Sequence, residues 1–274
     1  MVRWQRRRTC CSSSQTPRKI RDVKIATWNV NSLTARWPRV QAWITEHQPD
    51  VLLLQETKQS DEKFPTAHFA ELGYETAHYG QGQWNGVAIV SRRGLEDVQR
   101  GLQDDLEARF ISATCAGLRV FSCYVPNGRA LDDPHYAYKL RWLESLRAQI
   151  ATREPGQALV IGGDFNVALS DLDVYDPSVF VGATHVSPPE RAALQAMLDL
   201  DLVDLGRHFH ADEPSYTWWD YRNGSFHRGW GLRIDYLLAD AKTAQRVSDA
   251  YVDRDARKGE KPSDHAPVVA ELEW

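Results

Sequence analysis

Cysteine is scarce in this chain, with four among 274 residues. So few do not make a disulfide framework. Cys10 and Cys11 are neighbours in a polar leader, and Cys115 and Cys123 fall in strand-like runs. Reduced thiols in a cytoplasmic protein are the expectation. No apolar run approaches the roughly 18 residues of a membrane-crossing helix, so no membrane partner is expected. No glycine-rich phosphate loop follows the first strand, which argues against a Rossmann or P-loop fold. A basic excess is also missing. Lys and Arg number 33 against 37 Asp and Glu, a net charge of −4. Residues 1–24 hold eight basic groups and one acid, so the rest of the chain carries 25 basic against 36 acidic residues. A protein that grips nucleic acid by charge alone would not have so acidic a body. A polyanionic substrate would have to meet a local basic surface or bound cations.

Apolar residues make up 42% and charged ones 26%, the profile of an ordinary globular protein long enough to bury a large core. The first 21 residues are Arg-rich, Ser-rich and poor in acids, without the apolar centre of a secretory signal. They are read as a basic, disordered leader, either a transit-like segment or an upstream translation start. Residues 22–274 are read as a single catalytic domain.

Strand and helix signals alternate through that domain without linker or repeat. Strands are expected at Val23–Val30, Val51–Leu54, Tyr74–Tyr79 and Gly86–Ser91. Ala108–Cys115 and Leu118–Val125 look like a hairpin closed around Ala116 and Gly117. Further strands are expected at Ala158–Gly162, Ile234–Leu238 and Val268–Leu272. Helical spacing marks Trp37–His47, Phe64–Leu72, Tyr138–Thr152 and Pro189–Leu200, the last started by Ser187-Pro188. In Tyr138–Thr152 the apolar stripe is Leu140, Leu143, Leu146 and Ile150. Strands outnumber helices, and two packed sheets flanked by helices fit this order.

Six segments put polar or acidic residues just past an apolar run: Trp28-Asn29-Val30-Asn31, Leu54-Gln55-Glu56-Thr57-Lys58, Tyr124-Val125-Pro126-Asn127, Gly162-Gly163-Asp164-Phe165-Asn166, Arg233-Ile234-Asp235-Tyr236 and Ser263-Asp264-His265. Any one of them alone reads as a turn or cap. Together they matter, because strand ends at one edge of a sandwich can converge. Glu56, Asp164, Asp235 and Asp264 would then be four carboxylates in a small volume. Two such charges about 5 Å apart repel by roughly 3 kcal/mol at an effective dielectric of about 20. Cations or protons must intervene. Oxygen donors with Asn amides and no Cys cluster point to Mg²⁺ or Mn²⁺ rather than zinc. His265 suits a phosphate-facing imidazole, and metal-assisted hydrolysis of a phosphate ester is the chemistry such a site supports.

These segments, in this order and spacing, resemble the exonuclease III and AP endonuclease family of DNA-repair nucleases, within the endonuclease/exonuclease/phosphatase (DNase I-like) superfamily. The resemblance runs from Lys24 to Trp274. It implies an α/β fold, a four-layer sandwich of two central mixed β-sheets flanked by helices. It also implies a divalent cation and double-stranded DNA as partner, cleaved at abasic sites or at blocked or recessed 3′ ends by a monomer. By matching position, Glu56 resembles the principal metal ligand, with Asn29, Asn31 and Asp264 near the ion and Asp164, Asn166 and His265 at its edge. Asp164 would orient and deprotonate the attacking water, and Asn166 would donate to the transition state. His265, paired with Asp235, would hold a phosphate oxygen that Tyr124 also contacts. Asn127, Lys58 and Arg129 would contact the DNA backbone. The family pattern often has Asp where this chain has Asn31.

Trp28, Trp43 and Trp142 sit at apolar-periodic positions and are expected in the core. The aromatic and basic run Tyr216-Thr217-Trp218-Trp219-Asp220-Tyr221-Arg222 resembles a family loop that enters DNA. It makes Trp218, Arg222, Trp230 and Leu232 expected DNA contacts. His185 stands where the family often has a small residue bordering the sugar pocket. An imidazole there would obstruct a flipped-out abasic sugar within continuous duplex but not a frayed 3′ end, which favours 3′-end processing. Two other readings share part of this pattern. One is a phosphodiesterase of the same superfamily acting on inositol phosphates or phospholipid, and the other is a catalytically silent DNA-binding module.

Overall fold

The computed structural model describes residues 22–274, so the reading of the leader, with Cys10 and Cys11, lies outside the described residues. The chain opens with β1 (Asp22–Asn29), α1 (Leu33–His47), β2 (Val51–Gln55), α2 (Thr66–Glu71), β3 (Glu75–Tyr79) and β4 (Val87–Ser91). It continues with β5 (Glu96–Arg100), β6 (Phe110–Cys115), β7 (Leu118–Tyr124), α3 (Pro134–Ala151), β8 (Leu159–Asp164) and α4 (Pro188–Leu198). The last segments are β9 (Leu202–Asp204), α5 (Leu205–Phe209), α6 (Ser225–Arg228), β10 (Asp235–Asp240), α7 (Ala241–Ala244), β11 (Val247–Val252) and β12 (Val268–Glu273).

Twelve strands form two six-stranded sheets, ordered β11-β12-β1-β2-β4-β3 and β5-β6-β7-β8-β10-β9. Each sheet has one parallel pair at its centre, β1 with β2 and β7 with β8, and antiparallel neighbours on both sides. The sheets pack face to face over a core that includes Ile25, Leu53, Ile89, Ile111, Val120 and Leu237. Helices α1 and α2 cover the outer face of the first sheet, packing Val40, Trp43, Ile44 and Phe69 with Trp28 of β1. On the second, α3 and α4 do so through Trp142, Leu143, Leu146, Leu194 and Met197. The result is the expected four-layer sandwich. Gly162 of β8 faces the first sheet across the core. A Cβ there would lie 2.6 Å from Leu53 Cδ1 and 3.0 Å from Thr27 Cβ, so any larger residue would push the layers apart.

Local signals explain most boundaries. The β6–β7 hairpin turns at Ala116 and Gly117, both at positive φ, a backbone geometry that follows the strand twist. Helix α1 starts four residues before Trp37, because the Ser32 hydroxyl accepts from the Ala35 amide and caps it there. Helix α3 likewise starts at Pro134, capped by Asp133. The strands that the sequence does not announce are β5, β9 and β11, all at sheet edges. They are short or polar, with exposed residues throughout β5, and carry no apolar run to mark them.

Candidate active site

Strand register carries the site. In the second sheet, Tyr124 lies beside Asp164 and Asp164 beside Asp235, so β7, β8 and β10 bring these three side by side at one edge. In the first, Asn29 ends β1 beside Gln55 of β2, immediately before Glu56. The loops after β1 and β2 are stitched by the Ser32 amide donating to the Glu56 carbonyl (2.8 Å) and the Leu33 amide to that of Thr57 (3.0 Å). Between the sheets, Gln55 Nε2 donates to Thr27 Oγ1 and Ser122 Oγ, both at 3.0 Å, so the polar edge continues inward.

The two edges meet at Asn29, whose buried amide donates to Glu56 Oε1 (2.8 Å) and to Asp164 Oδ2 (2.9 Å). Glu56, Asp164 and His265 each offer a ligand atom, all within 4.8 Å of one another. Asp235 grips His265 Nδ1 at 2.9 Å, which turns Nε2 to within 3.8 Å of Asp164. Asn31 donates to Asp264 Oδ1 (2.9 Å), and Trp218 Nε1 donates to Asp264 Oδ2 (3.1 Å). Lys58 reaches Glu56 at 2.8 Å and Asn31 Oδ1 at 2.6 Å. Asn31, Ser32, Glu56, Lys58, Arg129, Asn166 and His185 all have positive φ. Non-glycine residues adopt this conformation at a cost, and here it is concentrated around one cleft.

Electrostatics follow from burial and crowding. Burial pushes the Asp164 carboxyl up to about 7, with the Asp235 and Glu56 carboxylates adding to the rise and His265 opposing it. Burial also disfavours charge on His265, but Asp235 and then Asp164 overrule it and raise the imidazole to about 10, so it is cationic at neutral pH. Both its nitrogens are then donors, which suits a phosphate oxygen. Burial, then the Glu56 charge, raises the Tyr124 hydroxyl far above its usual range and keeps it a donor. The Arg109 guanidinium lies 4.6 Å over the Tyr124 ring. Four carboxylates, Glu56, Asp164, Asp235 and Asp264, face two cations, Lys58 and His265, an excess of negative charge that a divalent ion would offset. The donors are hard oxygens, so the residues present fit Mg²⁺ or Mn²⁺.

Other expected residues divide by position. Asn127 donates to Asn166 Oδ1 (3.2 Å), and the half-buried His185 ring sits between them, 3.1 Å from Asn166 Oδ1 and 3.2 Å from Asn127 Nδ2. Burial, together with the nearby Lys139 ammonium, lowers that imidazole to about 3 and keeps it neutral. Arg129 is exposed, and Arg222 is exposed but paired with Asp220 at 2.6 Å. Trp230 stacks on Tyr175 at 5.8 Å beneath Arg228 and is 36% exposed. Leu232 is 2% exposed, packed with Ala168, Val174 and Ile234 and bridged to Trp218.

Several supporting groups escape the sequence reading. Thr217 Oγ1 accepts from the Ile234 and Asp235 amides, Trp28 Nε1 holds the His265 carbonyl, and Ser263 Oγ donates to the Asn29 carbonyl. Lys139 and Glu190 form a fully buried ion pair. The signal for Lys139 is present, since it stands four residues before Leu143, in line with an otherwise apolar stripe.

The sequence pattern of the endonuclease/exonuclease/phosphatase family matches residues 26–265. Exodeoxyribonuclease III of Haemophilus influenzae is 33% identical over 91% of this chain and all of that protein. This chain belongs to the exodeoxyribonuclease III and AP endonuclease family. It is a hydrolase of that type, and its fold agrees. The structure of a 3′-5′ exonuclease from Neisseria meningitidis superposes with a TM-score of 0.90 at 44% identity, covering 92% of this chain and 100% of that one. An AP endonuclease from Archaeoglobus fulgidus superposes with a TM-score of 0.89 at 41% identity, covering 91% and 99%. The family is metal-dependent and acts on DNA. Among the described residues, no helix is long and apolar enough to cross a membrane.

Proposed function

We propose that the protein is a Mg²⁺-dependent DNA-repair phosphodiesterase that works chiefly at 3′ ends, as a 3′-5′ exonuclease and 3′-phosphatase, and incises internal abasic sites less readily. The observation that carries the phosphodiesterase reading is the junction at Asn29, where Glu56 of one sheet meets Asp164 and His265 of the other. Glu56 would hold the cation, with Asp264 and Asn31 beside it. When bound, the ion supplies positive charge to the scissile phosphate and neutralises the carboxylate excess.

The remaining work falls to this chain's own groups. Asp164, with its pKa near neutrality, orients a water and accepts its proton as the water attacks phosphorus, while the bond from phosphorus to the departing sugar oxygen breaks and that oxygen takes a proton from solvent. The His265 imidazolium, kept cationic by Asp235, donates Nε2–H to a non-bridging oxygen. The Tyr124 hydroxyl donates to the same phosphate. Asn166 spends one amide N–H on the Val125 carbonyl (3.0 Å) and has a second for the developing charge.

The position of His185 supports the preference for 3′ ends. Its ring contacts both Asn127 and Asn166, so it occupies the border of the site where an extruded sugar would have to pass. The Neisseria meningitidis relative is a 3′-5′ exonuclease, and the Archaeoglobus fulgidus relative an AP endonuclease. The test is His185→Gly, assayed under identical Mg²⁺ on a recessed 3′-phosphate and on an internal abasic duplex. Abasic incision should rise relative to 3′-phosphate removal, and an unchanged ratio would reject the preference.

A further inference from the structure

Lys139 and Glu190 have no exposed surface and form a salt bridge with each other. Lys139 belongs to α3 and Glu190 to the first turn of α4. Three separate segments of the cleft border are tied to this one pair. Lys139 Nζ donates to the Asn166 carbonyl (2.6 Å), the Asn127 carbonyl (3.2 Å) and Thr184 Oγ1 (3.4 Å). Glu190 Oε1 accepts from Thr184 Oγ1 (2.7 Å) and from the His185 amide (2.9 Å). Its Oε2 accepts from the Ser187 amide (3.1 Å) and hydroxyl (2.5 Å). Gly128 leaves room for the junction, since a Cβ there would stand 3.0 Å from Lys139 Cδ and 2.7 Å from Thr184 Oγ1.

Fold stability gives little reason for such a pair. The Ser187–Glu190 capping box would start α4 without a lysine beneath it. Apolar residues of similar volume often stabilise a core as well as a buried ion pair does. What the pair does uniquely is fix backbone. It holds the His185 amide while that residue is at φ 78°, and it holds the carbonyls of the two asparagines that the His185 ring touches.

We infer that the Lys139–Glu190 pair is a positioning element for substrate selection, locking the 182–187 loop so that the His185 imidazole stays seated between Asn127 and Asn166. This rests on the reading of His185 given above. Without the pair, the loop is free to leave the border, and the site opens to an extruded sugar even though His185 is still present.

The test uses Lys139→Met/Glu190→Leu, which removes both charges together and leaves none unpaired, and, if the double variant does not fold, Glu190→Gln, which keeps the size but replaces one of the two acceptor oxygens with a donor and removes the charge. Each is compared with wild type and with His185→Gly on the recessed 3′-phosphate and the internal abasic duplex, and backbone amide exchange is followed at Thr184 and His185. The ratio of abasic incision to 3′-phosphate removal should rise about tenfold, within the range for residues sharing one hydrogen-bond network, and mainly through KM. The two amides should exchange faster. In a His185→Gly background the pair substitution should add nothing to the ratio. An unchanged ratio in the pair variants, with His185→Gly shifting it, would overturn the inference. An equal rise with and without His185 would also overturn it, by placing the effect at Asn166 instead. An unchanged ratio in His185→Gly alone is a separate result, which would remove the reading of His185 and this inference with it.

Discussion

Asp235→Asn should remove the charge from His265 at neutral pH while leaving the ring in place. Asp235 lies 2.9 Å and Asp164 3.8 Å from the imidazole nitrogens. At an effective dielectric of about 20 these contacts are worth about 6 and 4 kcal/mol to the imidazolium. Losing the first lowers the imidazole by about 4 pKa units, from about 10 to about 6, because burial still opposes the charge. The folded-state pKa is raised, so the stability it contributes in wild type is complete below about pH 6.5 and is lost as pH rises through about 10. The variant forgoes that contribution and loses its proton near pH 6. At about pH 8 its neutral imidazole no longer offers a charged donor to the phosphate, and kcat should fall by about 10²- to 10³-fold, the cost of removing one transition-state donor. Lowering the pH toward 6 recharges the imidazole but also protonates the Asp164 carboxyl, which titrates near 7, so the rate should not return in full. NMR titration of the His265 ring and a kcat–pH profile on a 3′-phosphate substrate at saturating Mg²⁺ measure both effects. A variant imidazole still protonated above about pH 9, or a flat profile at near wild-type rate, would refute the reasoning.

Glu56→Gln should raise the Mg²⁺ needed for half-maximal rate about tenfold, whereas Asp164→Asn should lower kcat in a way that excess Mg²⁺ does not repair. Full rescue of the Asp164 variant by Mg²⁺ would reverse the two roles. EDTA should abolish turnover and added Mg²⁺ restore it, and turnover persisting in EDTA would rule out the metal site. Gly162→Val places atoms against Leu53 and Leu237, whose methyls already stand 2.6 and 2.9 Å from a Cβ at that position. It should cost about 1–3 kcal/mol in urea unfolding by overpacking, and a wild-type midpoint would show that the sheets tolerate separation.

The alternation of strand and helix, the buried runs such as Val51–Leu54 and the cap at Ser187 are local, and the sequence alone determined them. The same holds for the choice of Glu56, Asp164, Asp235, Asp264 and His265 as a set, since each stands beside an apolar run: Glu56 and Asp164 at the ends of β2 and β8, Asp235 at the start of β10, and Asp264 and His265 just before β12. Edge strands β5, β9 and β11 were not legible, because their pairing depends on a neighbour strand and not on an apolar run of their own. Tertiary structure alone decided that Asn29 spans the two sheets, that Leu232 turns inward while Trp230 stays at the surface, and that a lysine in the apolar stripe of α3 meets a glutamate of α4. Residues far apart in the chain make each of these contacts, and their distances are fixed only when the two sheets close on their common core. The periodicity of a segment tells which face it buries, and the register between strands tells which side chains meet at the edge.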